Sequence, residues 1–223
     1  VKAKLKICGI TEEDTLQQMA AERLVPDQIG FVFAPSRRRI EPEQWGALAS
    51  HIPAGAKAAG VFVNPSLEEI DAVFREQPLA IVQLHGMESA AFCKAVKDKF
   101  HCRITKAVGL SMEGKDDIAE LAPYSEIIDM LLLDTAIPGQ SGGTGRTFDW
   151  ERIAPYRSWC HEHGVELFVA GGIHAGNAVE LLAGHKPDGI DLSSGVETDG
   201  RKDLNKIRTL IERMNAYEHR DSL

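Results

Sequence analysis

The feature that most constrains this chain is an alternation. Eight short runs rich in Val, Ile, Leu, Phe and Ala recur at about residues 3–8, 28–33, 58–63, 80–85, 103–108, 130–134, 166–170 and 189–193. Helical patterns separate them. The first starts at Thr11-Glu12-Glu13-Asp14, where Thr11 reads as the cap and the acids suit the positive end of the helix dipole. Others fall at about 42–51, from Ser66 after the Asn64-Pro65 stop, at 89–99, 149–163, 175–182 and 204–217, with a weaker one at 115–121. Strand–helix–strand repetition builds parallel sheets with right-handed crossovers. A doubly wound open sheet is the competitor, but no GxGxxG follows the first strand, and a count of eight suits a closed (β/α)8 TIM barrel. No linker-like composition interrupts residues 1–223, so the chain reads as one barrel domain.

Alternation within the strands then sorts side chains into two faces, because the side-chain period is two. In the first strand Leu5 and Ile7 share one face while Lys4, Lys6 and Cys8 share the other. By the same reading Val61 and Val63 face the helices, with Asn64 ending the inner row. Val82 and Leu84 face outward, and Gln83 and His85 inward. Leu131 and Leu133 face outward and Asp134 inward; Ile190 and Leu192 face outward, and Asp191 and Ser193 inward. Polar groups thus gather at the C-terminal ends of several strands, where barrel enzymes carry their chemistry.

Cys8 is the first candidate. A lone cysteine is more often a small buried hydrophobe, and a free thiol is mostly protonated at neutral pH. Lys6, two residues earlier on the same face, is expected to stabilise the thiolate. Asp134 ends the apolar run Leu131-Leu132-Leu133, where desolvation favours the protonated, proton-donating form; an Asp fastening the next loop by local hydrogen bonds is the plainer alternative. Gly142-Gly143-Thr144-Gly145, Gly171-Gly172 and Ser193-Ser194-Gly195 follow the last three strands. Glycines let backbone N–H groups approach an anion, and the loops after strands 7 and 8 form the usual phosphate site of this fold. Of Ser36-Arg37-Arg38-Arg39, two arginines suit a solvated loop and one suits a carboxylate. His85 and Gln83 are placed to orient substrate or each other, with a hydrogen-bonded structural histidine as the plainer reading.

Composition narrows the partners. A formal net charge of −8 leaves no electrostatic footprint for nucleic acid, and no apolar run is long enough for a membrane span. The N-terminus has no signal-peptide pattern, and Cys8, Cys93, Cys102 and Cys160 match neither a zinc site nor a disulfide framework, so reduced thiols and a cytoplasmic location are expected. His161-Glu162-His163 reads as the exposed end of a helix rather than a metal pair. No metal and no cofactor are called for. The small-molecule ligand is expected to be phosphorylated, and the chain to be a monomer or homodimer.

With these residues assembled, the sequence resembles the phosphoribosylanthranilate isomerases of tryptophan biosynthesis. The resemblance rests on Lys6-Ile7-Cys8-Gly9-Ile10-Thr11, Gly30-Phe31-Val32-Phe33 with Ser36-Arg37-Arg38, and Gly60-Val61-Phe62-Val63-Asn64. It continues through Val82-Gln83-Leu84-His85-Gly86, Asp134-Thr135, Gly142-Gly143-Thr144-Gly145, Phe148-Asp149-Trp150 and Ala170-Gly171-Gly172-Ile173. It ends on Asp191-Leu192-Ser193-Ser194-Gly195-Val196-Glu197 and Gly200-Arg201-Lys202-Asp203. The resemblance implies Cys8 as general base, Asp134 as general acid and Arg38 on the anthranilate carboxylate. It also implies His85, Gly143, Thr144, Gly145, Gly171, Gly172, Ser193, Ser194 and Gly195 around the substrate. Arg37 departs from the family pattern, standing where a proline is common. The implied reaction is an Amadori rearrangement without cofactor. Another phosphosugar barrel enzyme, or a phosphate-ligand sensor on a retired barrel, is the alternative. A histidine-pathway isomerase is expected to carry an aspartate where Cys8 stands.

Overall fold

The computed structural model describes residues 2–111, 118–136 and 148–221. Eight strands form a closed parallel barrel in chain order, the eighth pairing back onto the first. They are β1 (Lys4–Cys8), β2 (Gln28–Val32), β3 (Lys57–Phe62), β4 (Ile81–Leu84), β5 (Arg103–Ser111), β6 (Met130–Ala136), β7 (Glu166–Val169) and β8 (Gly189–Leu192). The outer ring holds α1 (Glu13–Ala21), α2 (Pro42–Ala49), α3 (Leu67–Glu76), α4 (Ala90–Phe100), α5 (Ile153–His163), α6 (Ala178–His185) and α7 (Leu204–Asp221). The fold is therefore the (β/α)8 barrel that the alternation implies. Between β5 and β6 the described part of the crossover is a 3-10 helix, Ile118–Tyr124, and residues 115–117 of the expected weak helix lie outside the described residues.

Local chemistry sets the helix ends. Ser66 caps α3 by accepting from the Glu69 N–H at 3.2 Å, while the Glu69 carboxylate accepts from the Ser66 N–H at 2.7 Å. Ser89 caps α4 through the Phe92 N–H, and Pro42 opens α2, where a missing N–H costs nothing. Two starts differ from the sequence reading. Thr11 is not a cap, since α1 begins at Glu13 with Glu12 before it. α6 begins three residues later than expected, because Asn177 accepts from the His174 N–H at 2.8 Å and holds residues 174–177 in a turn.

The core has two layers. One lies between barrel and helices and includes Leu5, Ile7, Ile29, Phe31, Leu131, Leu133, Ile190 and Leu192. The other fills the barrel itself with Ala59, Ile81, Ala107, Met130, Leu132, Phe168 and Ala170. Burial of these apolar surfaces drives the closure, and the inner layer plugs the barrel below its C-terminal mouth. No helix among the described residues is long and apolar enough to cross a membrane. His161, Glu162 and His163 stand exposed in the last turn of α5.

Candidate active site

A pocket with a cavity volume of about 110 Å³, open to solvent, occupies the C-terminal mouth of the barrel. Cys8, Arg38, His85, Asp134, Gly171, Gly172, Ser193, Ser194 and Gly195 all line it, so β1, β4 and β6 and the loops after β2, β7 and β8 converge on one space. Gly143, Thr144 and Gly145 lie outside the described residues. Val61 and Val63 line the pocket as well, which corrects their outward assignment. The β3 run is apolar on both faces and carries no phase of its own. Its register against β4 sets Val61 beside the inward Gln83, and neighbours in a parallel ladder share a face. Asn64 instead clasps the rim: its Oδ1 accepts from the Met87 N–H at 2.7 Å, and its N–H donates to Glu88 at 2.7 Å.

β1 delivers Cys8 to the pocket floor and Lys6 one layer below. The Lys6 ammonium donates to Asp191 Oδ2 at 2.6 Å and to Gln83 Oε1 at 2.5 Å. Lysine and aspartate are both almost wholly buried, and their strands pair at that point, Lys6 opposite Asp191. Burial alone would lower the lysine pKa, but Asp191 above all, with Cys8 and Asp134, outweighs it and the pKa is raised. Lys6 acts on the thiol in the expected direction, but burial acts more strongly. Burial is the largest influence on Cys8 and pushes its pKa up; the Lys6 charge pulls it down but is opposed by Asp191. The Lys6 charge thus still favours the thiolate, with Asp191 offsetting part of it and burial outweighing it. Cys93, Cys102 and Cys160, buried among apolar side chains, are pushed up to about 11, 11 and 12 by the same desolvation.

The polar row continues across the barrel floor. Gln83 Nε2 lies 3.1 Å from His85 Nδ1, and His85 Nε2 lies 3.5 Å from Asp134 Oδ2. The other carboxylate oxygen of Asp134 accepts from the Thr135 N–H at 2.7 Å, which is the local loop-fastening bond the sequence also allowed. One oxygen anchors Asp134 while the other stays toward the histidine and the pocket.

Arg38 is the buried member of the arginine run. Its Nε and Nη2 donate to Glu197 at 2.7 and 2.8 Å, a bidentate fork that fixes the plane of the guanidinium. Arg37, mostly exposed, also reaches Glu197 at 2.7 Å, and Arg39 pairs with Glu41 at the surface. Lys202 Nζ completes the cluster, donating to Glu197 at 2.6 Å and to the Ser193 carbonyl at 3.1 Å. Burial would raise the Glu197 pKa, but Arg38 and Lys202 hold it below the usual carboxylate range. Burial lowers the Lys202 pKa, with Glu197 opposing. Glu197 and Lys202 fall within the motifs of the β8 loop, but the sequence alone assigns them no role. The available signal was an acid and a base seven residues or fewer beyond a glycine turn, which is too common to single out.

The β8 loop sits tight under the pocket. A Cβ on Gly195 would stand 1.8 Å from the Ile173 carbonyl oxygen, so the loops after β7 and β8 touch backbone to backbone. Ser193 Oγ donates to the Cys8 carbonyl at 3.0 Å, tying this loop to the end of β1. Two glycines, two serines and a third glycine thus present main chain to the pocket from adjacent loops, an arrangement suited to an anion.

Comparison with known proteins agrees with this architecture. The family model described as N-(5'phosphoribosyl)anthranilate (PRA) isomerase matches residues 5–213. An N-(5'-phosphoribosyl)anthranilate isomerase of Brevibacillus brevis is 42% identical over 215 residues, covering 96% of this chain and 95% of that protein. The crystal structure of phosphoribosyl anthranilate isomerase from Thermus thermophilus superposes with a TM-score of 0.75 at 34% identity, covering 96% and 98% of the two chains. A phosphoribosyl anthranilate isomerase in complex with reduced 1-(o-carboxyphenylamino)-1-deoxyribulose 5-phosphate gives a TM-score of 0.75 at 30% identity, covering 96% and 99%. The chain belongs to the N-(5'-phosphoribosyl)anthranilate isomerase family and is an isomerase.

Proposed function

We propose that this protein catalyses the Amadori rearrangement of N-(5'-phosphoribosyl)anthranilate to 1-(2-carboxyphenylamino)-1-deoxyribulose 5-phosphate in tryptophan biosynthesis, with Asp134 as general acid and Cys8 as general base. The observation that carries the reading is that a thiol, a carboxyl, a buried arginine and two glycine-bearing loops line one pocket at the catalytic end of the barrel. The solved relative in complex with the reduced deoxyribulose phosphate is a further support.

In this reading the phosphate rests on the main chain of Gly171, Gly172 and Ser193–Gly195, and Arg38 meets the anthranilate carboxylate with donors that Glu197 does not take. Binding both ends holds the sugar between acid and base, so orientation supplies part of the rate. Asp134 gives its proton to the furanose oxygen as the C1–O bond breaks, and the anilino nitrogen lone pair forms the C1=N Schiff base. The Cys8 thiolate removes the C2 proton, and the electron pair left behind makes the C1=C2 enolamine. C1 then gains a proton and the C2 hydroxyl loses one, so the ketone forms with atoms and charge balanced.

Freshly prepared phosphoribosylanthranilate is fluorescent, and its consumption is the direct assay. Turnover without added metal is expected, with kcat falling roughly 10²–10⁴-fold in Cys8→Ala and in Asp134→Asn. A fully active Cys8→Ala protein would reject the base assignment.

A further inference from the structure

We propose that the buried chain Asp191–Lys6–Gln83 locks His85 as the neutral tautomer protonated on Nε2, making His85 a positioning residue for the acid Asp134. The inference rests on the assignment of Asp134 as general acid and adds to it how that acid is set to hand its proton to the substrate rather than to the histidine.

An ammonium has three donors and no acceptor, so the Gln83 atom 2.5 Å from Lys6 Nζ must be the amide oxygen. Lys6 cannot turn away, because Asp191 holds it at 2.6 Å in a site closed to water. Gln83 therefore presents its NH2 to His85 Nδ1 at 3.1 Å. An amide NH2 only donates, so Nδ1 must be the bare, accepting nitrogen, and the single ring proton of neutral His85 sits on Nε2. Reversing the amide would set NH2 against an ammonium, and protonating Nδ1 would set N–H against N–H. The first sets two donors face to face in a buried site, the second does so at the half-buried His85 ring, and neither arrangement makes a hydrogen bond.

The consequence falls on Asp134, whose Oδ2 lies 3.5 Å from His85 Nε2. A protonated Nε2 has no lone pair, so it cannot draw the proton from the carboxylic acid; that proton is left for the substrate. Once the proton has gone, the Nε2–H faces the new carboxylate and stabilises it. The opposite tautomer would do the reverse on both counts, holding a base against the acid and a lone pair against the anion.

The test is nitrogen-resolved NMR of the histidine ring in the whole protein, read together with steady-state kinetics. The wild type is expected to show His85 as one tautomer with Nδ1 unprotonated, and a scalar coupling across the hydrogen bond from Gln83 Nε2. A proton on Nδ1, or the two-tautomer average of free histidine, would overturn the lock whether or not any variant folds. Gln83→Glu replaces the donor at Nδ1 with an acceptor and is expected to move the ring proton to Nδ1. With that move kcat is expected to fall about tenfold while KM changes less than about twofold. Gln83→Met, which offers Nδ1 no donor, is expected to show mixed tautomers and an intermediate kcat. A moved proton with unchanged kcat would overturn the positioning role. Full turnover in Asp134→Asn would instead remove the acid assignment while leaving the wild-type tautomer as it is, so the two failures are distinct.

Discussion

A Cβ at position 30 would stand 2.6 Å from the Sγ of Cys8 and 3.0 Å from its Cα. Cys8 and Gly30 are register partners on β1 and β2, so the missing side chain of one strand is the space occupied by the thiol of the other. Gly30→Ala should push the thiol off its place with little effect elsewhere. We expect kcat to fall about ten- to a hundredfold from misplacement of the base, with about 1–3 kcal/mol of stability lost to overpacking. Turnover beside a urea melt separates the two, and an unchanged kcat would show that the position of the thiol does not limit the reaction.

Burial pushes the Cys8 pKa above that of a free thiol. At neutral pH most of the enzyme should therefore carry the thiol, and the base form should grow as pH rises. The alkylation rate of Cys8 by iodoacetamide should accelerate with pH to a midpoint above the ordinary thiol value near 8.5. A midpoint below 8 would reject the dominance of desolvation.

Asp191 both anchors Lys6 and raises the Cys8 pKa. Asp191→Asn keeps the shape and removes the charge, leaving a buried ammonium without its counter-ion. Stability should drop by roughly 3–5 kcal/mol, the usual penalty for breaking a buried pair from one side. In the same variant the thiol should titrate lower, because the Lys6 charge is then free to act on it. Denaturation and thiol reactivity must both move; a stable variant, or an unmoved thiol, contradicts the account of Lys6.

Glu197 gathers Arg38 and Lys202 in a nearly closed site, and its pKa is depressed. A depressed carboxylate contributes stability that is present above its unfolded value near 4.3 and is lost as pH falls through its lower folded value. Glu197→Gln should therefore flatten the acid limb of the stability curve below about pH 4. Arg38→Lys removes the fork that Glu197 aligns, and KM for the anthranilate substrate should rise about tenfold, close to 1.4 kcal/mol. Thermal melts across pH and steady-state kinetics check the two halves independently.

Much of this molecule is legible in its residue order. Eight strand–helix repeats, with the capping signals at Ser66 and Ser89, lead to the barrel because local propensity and period-two patterning act over a few neighbouring residues. Cys8, His85 and Asp134 could be sent to the inner face for the same reason, since each ends or follows a strand whose outer face is plainly apolar. β3 could not, because Ala58-Ala59-Gly60-Val61-Phe62-Val63 is apolar on both sides and only its pairing with β4 sets the phase.

What tertiary structure alone decided are the partners. Lys6 lies beside Cys8 in the chain, and proximity in sequence made it the natural modulator of the thiol. Barrel closure brings Asp191, 185 positions away, to within 2.6 Å and redirects that charge. In the same way Glu197 claims Arg38 from 159 positions away, and Gln83 bridges Lys6 to His85. Pattern and propensity are local properties that a linear sequence carries openly. Which donor meets which acceptor, and how strongly water is excluded around them, depends on contacts that exist only once β8 has paired with β1.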